Sequence, residues 1–274
     1  MLKNENIICI SSIDWDFIWQ GHQEIMSTLA KNGNRVIFIE NTGVRSPGIR
    51  DIVRLKKRIK NYFKGIKGIR KELNNLYIFS PIILPFPYSW IALKINKDLI
   101  ISILKRWMKI IDFTDPIIWT FLPTGLALEI INSTDKKLSI YYCIDNFSAS
   151  TASARKISVS EKKLLKKADL VFVTSRALYD YCSLYNNNVT IYPFGVNISD
   201  FEEIRKNCNE TPDELRNIDK PIVGYIGGIH KWIDLGLVKS LANYLPGYSF
   251  VFVGPVQTDI SELSDLKNIY FLGH

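Results

Sequence analysis

The 274-residue sequence contains no apolar run near the 18 or more residues that cross a bilayer, so no spanning helix is expected. Its N-terminus, MLKNENIICISS, holds only a four-residue apolar run before it turns polar, so no signal peptide is expected and the chain is expected to remain in the cytoplasm. Cysteine is scarce: Cys9, Cys143, Cys182 and Cys208 are scattered, with no C-x-x-C and no Cys/His cluster. A disulfide framework and a zinc site are therefore unsupported, and Cys9 and Cys143 lie in apolar runs where cysteine acts as a small buried hydrophobe. Glycine is missing where a dinucleotide would need it. The turn after the first strand-like run, SSIDWDFIWQGHQ, has Gly21 alone, and its Trp and Phe side chains would obstruct a pyrophosphate, so a nicotinamide or flavin enzyme is not expected. Acid is missing from residues 54–71, RLKKRIKNYFKGIKGIRK, which carry nine Lys or Arg. Outside that stretch, 26 basic residues face 27 acidic ones, so one segment accounts for the net charge of +8.

What is present is a core-forming chain, 47% apolar and long enough for two domains. Apolar runs at 7–11, 35–40, 76–80, 117–122, 138–144 and 170–174 are mostly continuous rather than alternating, as in parallel strands covered on both faces. Helical patterns lie between them: HQEIMSTLAKNG ending on Gly33 as a C-cap, a long stretch from about 89 to 112, TGLALEII and SEKKLLKKAD. This alternation predicts an α/β fold with a doubly wound parallel sheet. Another strand-like piece, VTIYPFG, ends near Gly195, and residues 197–221 are then polar and poorly periodic, as a linker would be. Beyond Pro221 the alternation restarts with IVGYIGG, DLGLVKSLANYL, SFVFVG and IYFLG. Three parallel strands leave an edge and much apolar face uncovered, so the second domain is expected to be incomplete.

Two segments, EKKLLKKADLVFVTSRALYDYC (161–182) and IYPFGVNISDF (191–201), carry a family resemblance. In that order they resemble the GT-B glycosyltransferases of the family 4 type, and the opening WQGHQEIMSTLAKNGNRVIFIENTGVRSP (19–47) looks like the first βαβ of the teichuronic-acid and surface-polysaccharide transferases in that group. Ala168, Asp169, Val171 and Ser175 match the first family segment; Pro193, Gly195, Val196 and Phe201 match the second. Phe194 stands for the usual Asn and Asn197 for the usual Asp. The resemblance implies two Rossmann-like doubly wound domains: an acceptor-binding domain over 1–205, a linker over 206–219, and from 220 to 274 the start of a nucleotide-sugar-binding domain. The family's paired-glutamate segment has no counterpart here.

The resemblance also implies where a donor would sit. GYIGGIHKWID places Gly227 and Gly228 in the turn that meets the donor diphosphate, with His230 or Lys231 as further donors. Small residues there let backbone N–H groups approach a phosphate, although an ordinary tight βα turn reads the same way. Asp14 and Asp16 have D-x-D spacing, yet GT-B enzymes meet the leaving diphosphate with dipoles and basic side chains, so neither a metal nor another cofactor is expected. Asp14, Trp15 and Trp19 are instead read as acceptor-cleft lining, the tryptophans as platforms for a sugar ring or lipid, with an inert loop as the alternative. His22, at the start of a helix, is a candidate base or donor, or a helix cap. Asp145, closing the strand in YYCIDNF, is the acidic candidate for an acceptor hydroxyl, or a turn cap.

Residues 52–71 read as an amphipathic basic helix with Ile52, Leu55, Ile59, Tyr62 or Phe63, Ile66 and Ile69 on one side. Such a helix suits an anionic membrane surface, a solvated face being the plainer reading; no base-reading module accompanies the charge, so nucleic acid is not the expected partner. Together these features predict a glycosyltransferase, retaining by family resemblance, that moves a sugar from a nucleotide donor to a lipid-linked or cell-surface polysaccharide acceptor. It would act in the cytoplasm or peripherally on the inner membrane face. The alternative is a truncated, non-catalytic remnant or binding subunit of a glycan-assembly system.

Overall fold

The structure, a computed structural model, describes residues 2–42, 68–147, 156–206 and 211–273. The chain divides into two compact units, Met1–Gly195 and Val196–His274. The basic stretch read as a helix over 52–71 falls outside the described residues as far as 67, as does Cys208. Its last residues are corrected: Ile69–Leu73 form a strand, not a helix.

Unit 1 is built on one eight-stranded sheet. In chain order its elements are β1 (Asn6–Ile10), α1 (Gly21–Lys31), β2 (Arg35–Ile39), β3 (Ile69–Leu73), β4 (Leu76–Phe79), α2 (Trp90–Ile110), β5 (Ile117–Thr120), α3 (Gly125–Ser133), β6 (Leu138–Cys143), α4 (Ile157–Lys167), β7 (Leu170–Val173), α5 (Arg176–Cys182) and β8 (Val189–Ile191). The strand order is β3-β4-β2-β1-β5-β6-β7-β8, and every pairing is parallel except the β3–β4 hairpin at one edge. Continuous apolar strands need cover on both faces, and they have it. On one face α1 lays Met26 and Ala30 against Ile7, Cys9, Val36 and Phe38. On the other, α2 to α5 bury Ile100, Leu104, Ile130, Leu164 and Cys182 against Ile8, Ile10, Ile118 and Tyr141.

Local chemistry sets the helix starts. Ser89, Thr124 and Ser175 each accept a hydrogen bond from the backbone N–H three residues on, at the heads of α2, α3 and α5. Past the end of α1, Gly33 takes φ +91°, which confirms the C-cap expected there.

Unit 2 carries α6 (Ile198–Lys206), β9 (Ile222–Ile226), α7 (Leu235–Tyr244), β10 (Ser249–Val253) and β11 (Ile269–Gly273). Its three strands pair in parallel in the order β11-β10-β9. Helix α6 lies in the stretch that reads as polar and aperiodic. The second unit has one core cluster, in which Leu235 and Ala242 of α7 meet Phe250 and Phe252 of β10. No helix among the described residues is long and apolar enough to cross a membrane.

Candidate functional site

In unit 1 the chain winds from β1 outward through β2 to β4 on one side, then crosses back through α2 to β5 on the other side of β1, so β1 and β5 flank the topological switch point. Loops diverge there at the C-terminal edge of a doubly wound sheet and leave a crevice where ligands bind. The residues at that edge are Ser11 to Trp19 after β1, Phe121 to Thr124 after β5, and Ile144 to Asn146 after β6.

His22 straddles the switch point. Its Nε2 is 2.8 Å from the Ser12 hydroxyl, after β1, and its ring packs 4.2 Å from that of Phe121, after β5. The side chain is only 1% exposed, and burial lowers its pKa from 6.5 to about 4, so the imidazole is neutral near pH 7. Among the described residues Nδ1 has no hydrogen-bond partner. The N-cap of α1 is Gln20, so His22, read as a candidate base or donor or as a helix cap, is no cap but a neutral imidazole. It is a buried group that orients Ser12, and Ser12 is what stands at the edge.

The loop after β1 separates in a similar way. Trp15 is 6% exposed, packed edge-on against Phe38 at 5.0 Å, and its backbone N–H donates to Glu40 at 3.0 Å. It is a core residue, which corrects its reading as an open ring platform. Trp19 is 54% exposed and stands edge-on to Trp15, its Nε1–H donating to Glu24 at 2.7 Å. Trp19 keeps the geometry of a platform. Arg70, from the unforeseen strand β3, pairs with Asp16 at 3.1 Å and lies 3.9 Å from Glu40. The D-x-D acids thus sit in an ion-pair network, in which Asp14 acts on the buried Glu40. Among the described residues no three His, Cys, Asp or Glu are grouped to hold a metal ion.

Asp145 is exposed and lines a cavity of about 360 Å³ at the ends of β6 and β7, together with Asn146, Glu161, Thr174, Ser175 and Tyr181. Glu161 is buried beneath it; Tyr141 and Tyr181 donate their hydroxyls to its two oxygens at 2.7 and 3.2 Å. Burial raises the Glu161 pKa against the opposing pull of those two hydrogen bonds. Such a cavity is roomy enough for a sugar ring and offers carboxylate, amide and hydroxyl partners to its hydroxyl groups. His22 and Asp145 share the sheet edge, but His22 bonds to Ser12 while Asp145 lines its own cavity. Glu161 sits in SEKKLLKKAD, which reads only as a helical pattern, so no sequence signal singles it out. Ser12 was equally silent.

In the motif segments, Asp169 accepts from Ser139 N–H and Oγ at 2.7 Å each, tying the starts of β6 and β7 together, and Ser175 caps α5. Phe194, where the family has Asn, lays its ring over Gly21, where any Cβ would meet it at 2.4 Å.

In unit 2 the turn after β9 is held by backbone. Gly227 N–H donates to Val253 at 2.9 Å and Ile229 N–H to Pro255 at 3.0 Å. Gly227 has φ +156°, and Gly254, at φ +145°, lies so close that a Cβ would come within 2.1 Å of the Gly227 carbonyl. Gly228 is different: among the described residues a Cβ there would meet nothing within 4 Å. His230 stacks on Trp232 at 3.7 Å and accepts the Lys231 N–H at Nδ1, which leaves its Nε2 as the protonated nitrogen of the neutral ring. The exposed Lys231 supplies a cation beside it. Small residues, an imidazole donor and a cation on one turn can meet a phosphate.

No family model matches the sequence, and no curated protein is significantly similar to it. Solved structures do share the fold. A sucrose-phosphate synthase from Thermosynechococcus elongatus superposes with a TM-score of 0.64 at 14% identity, over 98% of this chain and 71% of that one. A UDP-forming trehalose-phosphate synthase from Burkholderia xenovorans gives 0.58 at 14% identity, over 100% and 73%. An Anabaena protein, HepE, solved in complex with UDP and glucose, gives 0.56 at 14% identity, over 97% and 68%. The chain has the α/β fold of GT-B glycosyltransferases, an eight-stranded, mostly parallel sheet followed by a second parallel sheet.

Proposed function

We propose that this chain is a glycosyltransferase of the family 4 type that transfers a sugar from a nucleotide-sugar donor to a lipid-linked or cell-surface polysaccharide acceptor. The observation that carries the reading is one pairing of features: a polar cavity beside Asp145 in a doubly wound unit, and a second parallel unit opening with the Gly227-Gly228 turn. Unit 1 takes the acceptor. Asp145 contacts the attacking hydroxyl, Trp19 flanks the acceptor, and His22 positions Ser12. Unit 2 takes the donor: the backbone at Gly228, with His230 and Lys231, meets the diphosphate as the bond from the anomeric carbon to its oxygen breaks. No metal is invoked in this scheme, and family likeness favours retention at the anomeric carbon. The basic stretch 52–71 holds the protein peripherally on the anionic inner face of the cell membrane.

The test is titration of the purified chain with UDP- and GDP-sugars, followed by transfer assays with lipid-linked acceptors. Binding in the range on the order of micromolar to millimolar supports the reading, and Asp145→Ala is then expected to abolish transfer while leaving donor affinity intact. If no activated sugar binds at millimolar concentration, the transferase reading fails and a non-catalytic binding subunit takes its place.

A further inference from the structure

The segment between β4 and the first three turns of α2 exposes apolar side chains in an ordered pattern. In PIILPFPYSW, every second residue from Ile82 to Trp90 is exposed, and all five of them are apolar or aromatic. Trp90 is 74% exposed. The pattern continues into α2, where Ile91, Ile95 and Leu99 are exposed at four-residue spacing, one stripe along one helix face. Soluble surfaces carry single exposed apolar residues; a run of eight within 18 positions marks a contact surface.

The surface is preformed. Asn96, buried in α2, accepts the Leu84 N–H at 2.7 Å and donates to the Leu84 carbonyl at 2.9 Å, clamping the proline-rich strap against the helix. Ser89 caps the helix from the strap's end. The opposite face of α2 is already satisfied, with Ile100, Ile103 and Leu104 in the core, so the exposed stripe is not a misplaced core face.

Charge selects the partner. From Arg54 to Lys97 the sequence has eleven Lys or Arg and one acid, Glu72. Helix α2 itself carries five basic residues against Asp98, with Lys94, Lys105, Arg106 and Lys109 exposed. A protein partner of the same apolar shape would not require this bias, whereas an anionic lipid surface rewards both parts. Indole, phenol and phenyl rings settle at the headgroup boundary, and lysine or arginine heads reach the phosphates.

We infer that the strap 82–90 and the outer face of α2 over 90–109 form a docking surface for an anionic lipid bilayer. It extends the membrane reading of the basic stretch 52–71, which supplies nine of those eleven cations, and adds to it the apolar strap and the basic residues of α2. The strap and the head of α2 lie at the C-terminal end of β4, the same sheet edge that carries Ser12 and Asp145, and α2 runs from there toward the opposite edge; Phe17 and Ile18 in the loop after β1 are exposed at the first edge too. Docking at this edge therefore presents the acceptor cavity to lipid, where a lipid-linked substrate arrives.

The test is vesicle flotation of the full chain with phosphatidylcholine alone and with phosphatidylcholine containing phosphatidylglycerol. Binding is expected only to the anionic vesicles, with quenching of tryptophan emission by brominated lipid that largely disappears in Trp90→Phe. The triple variant Trp90→Ala, Ile91→Glu, Ile95→Glu changes exposed positions only and should keep the wild-type circular dichroism. It should lose about tenfold or more in vesicle partitioning. Two results overturn the inference: triple-variant binding equal to wild type, or no binding of the wild type to anionic vesicles; in the second case a wild-type dimer that the triple variant makes monomeric would assign the surface to a second copy. If neutralising the Lys and Arg of 54–67 alone abolishes binding while the triple variant binds normally, this surface is overturned and the basic stretch keeps its role. Vesicle binding without nucleotide-sugar binding would sustain the docking surface while the transferase reading fails.

Discussion

The two units follow one plan with different amounts of cover. In unit 1 the eight-stranded sheet has a core cluster on each face, and its central strands β1 and β2 are almost wholly buried. In unit 2 a three-stranded sheet has one cluster, and on the opposite face Ile226, at the end of β9, is 86% exposed. A parallel strand is hydrophobic on both sides whether or not both sides are covered, so β1 and β9 look alike as sequence and differ as structure. The difference also sorts the candidate residues. Unit 1 holds its groups by burial, as with His22 and Glu161, whereas unit 2 holds its turn by close backbone approach between Gly227 and Gly254.

If that comparison is right, identical aromatic truncations should cost different amounts. Phe38 on β2 is fully buried under Trp15 and the α1 face, and Phe38→Ala should cost about 3–5 kcal/mol of unfolding free energy. Phe252 on β10 packs against Tyr225 and Phe271 in the single cluster, where neighbours have more freedom to collapse. Its replacement by alanine should fall at the low end of that range, about 3 kcal/mol. Urea unfolding of each variant gives both numbers. Equal costs would show that the open face of unit 2 does not loosen its core.

Burial in unit 1 carries a pH signature. The His22 pKa is near 4 in the folded chain against 6.5 for an unburied imidazole. Between those values the unfolded chain binds the proton and the folded chain does not, so stability is full above 6.5 and is lost as pH falls toward 4. The shift corresponds to about 3 kcal/mol. Glu40 and Glu161, both raised by burial, act in the opposite sense, their burial costing more as pH rises. The clean measurement is the difference between wild type and His22→Gln in urea unfolding across that window. A difference that grows as pH rises from 4 to 6.5 and then levels is the expected outcome; one that does not change with pH would mean His22 is solvated in the folded chain.

Much of this fold was legible from the sequence, because continuous apolar runs and caps are local signals. The central strands of both units and the C-cap at Gly33 fall where periodicity put them. What was illegible depended on pairing over distance. Strand β3 reads as part of a basic helix because its Arg70 and Lys71 are charged, and only its hairpin with β4 and the pairing of Arg70 with Asp16 make it a strand. Trp15 and Trp19 are the same residue type four positions apart; burial against Phe38 decides that one is core and the other surface. Glu161 became visible only when the tyrosines of β6 and α5 converged on it.

The smallest expected effects fall on two glycines of unit 2, and they separate architecture from ligand contact. Gly254 combines φ +145° with a Cβ position 2.1 Å from the Gly227 carbonyl oxygen, a backbone atom that cannot swing aside. Gly254→Ala should cost about 1–3 kcal/mol and distort the turn that Gly227 and Gly228 form. Gly228 lacks both constraints, so Gly228→Ala should change stability by no more than about 0.5 kcal/mol. If its backbone meets a diphosphate, the added methyl stands where the phosphate approaches, and nucleotide-sugar affinity should drop by about tenfold, or about 1.4 kcal/mol. Calorimetric titration beside thermal unfolding reads both effects on one sample. Unchanged affinity in Gly228→Ala, with stability intact, would remove Gly228 from the donor site and leave the turn as sheet architecture alone.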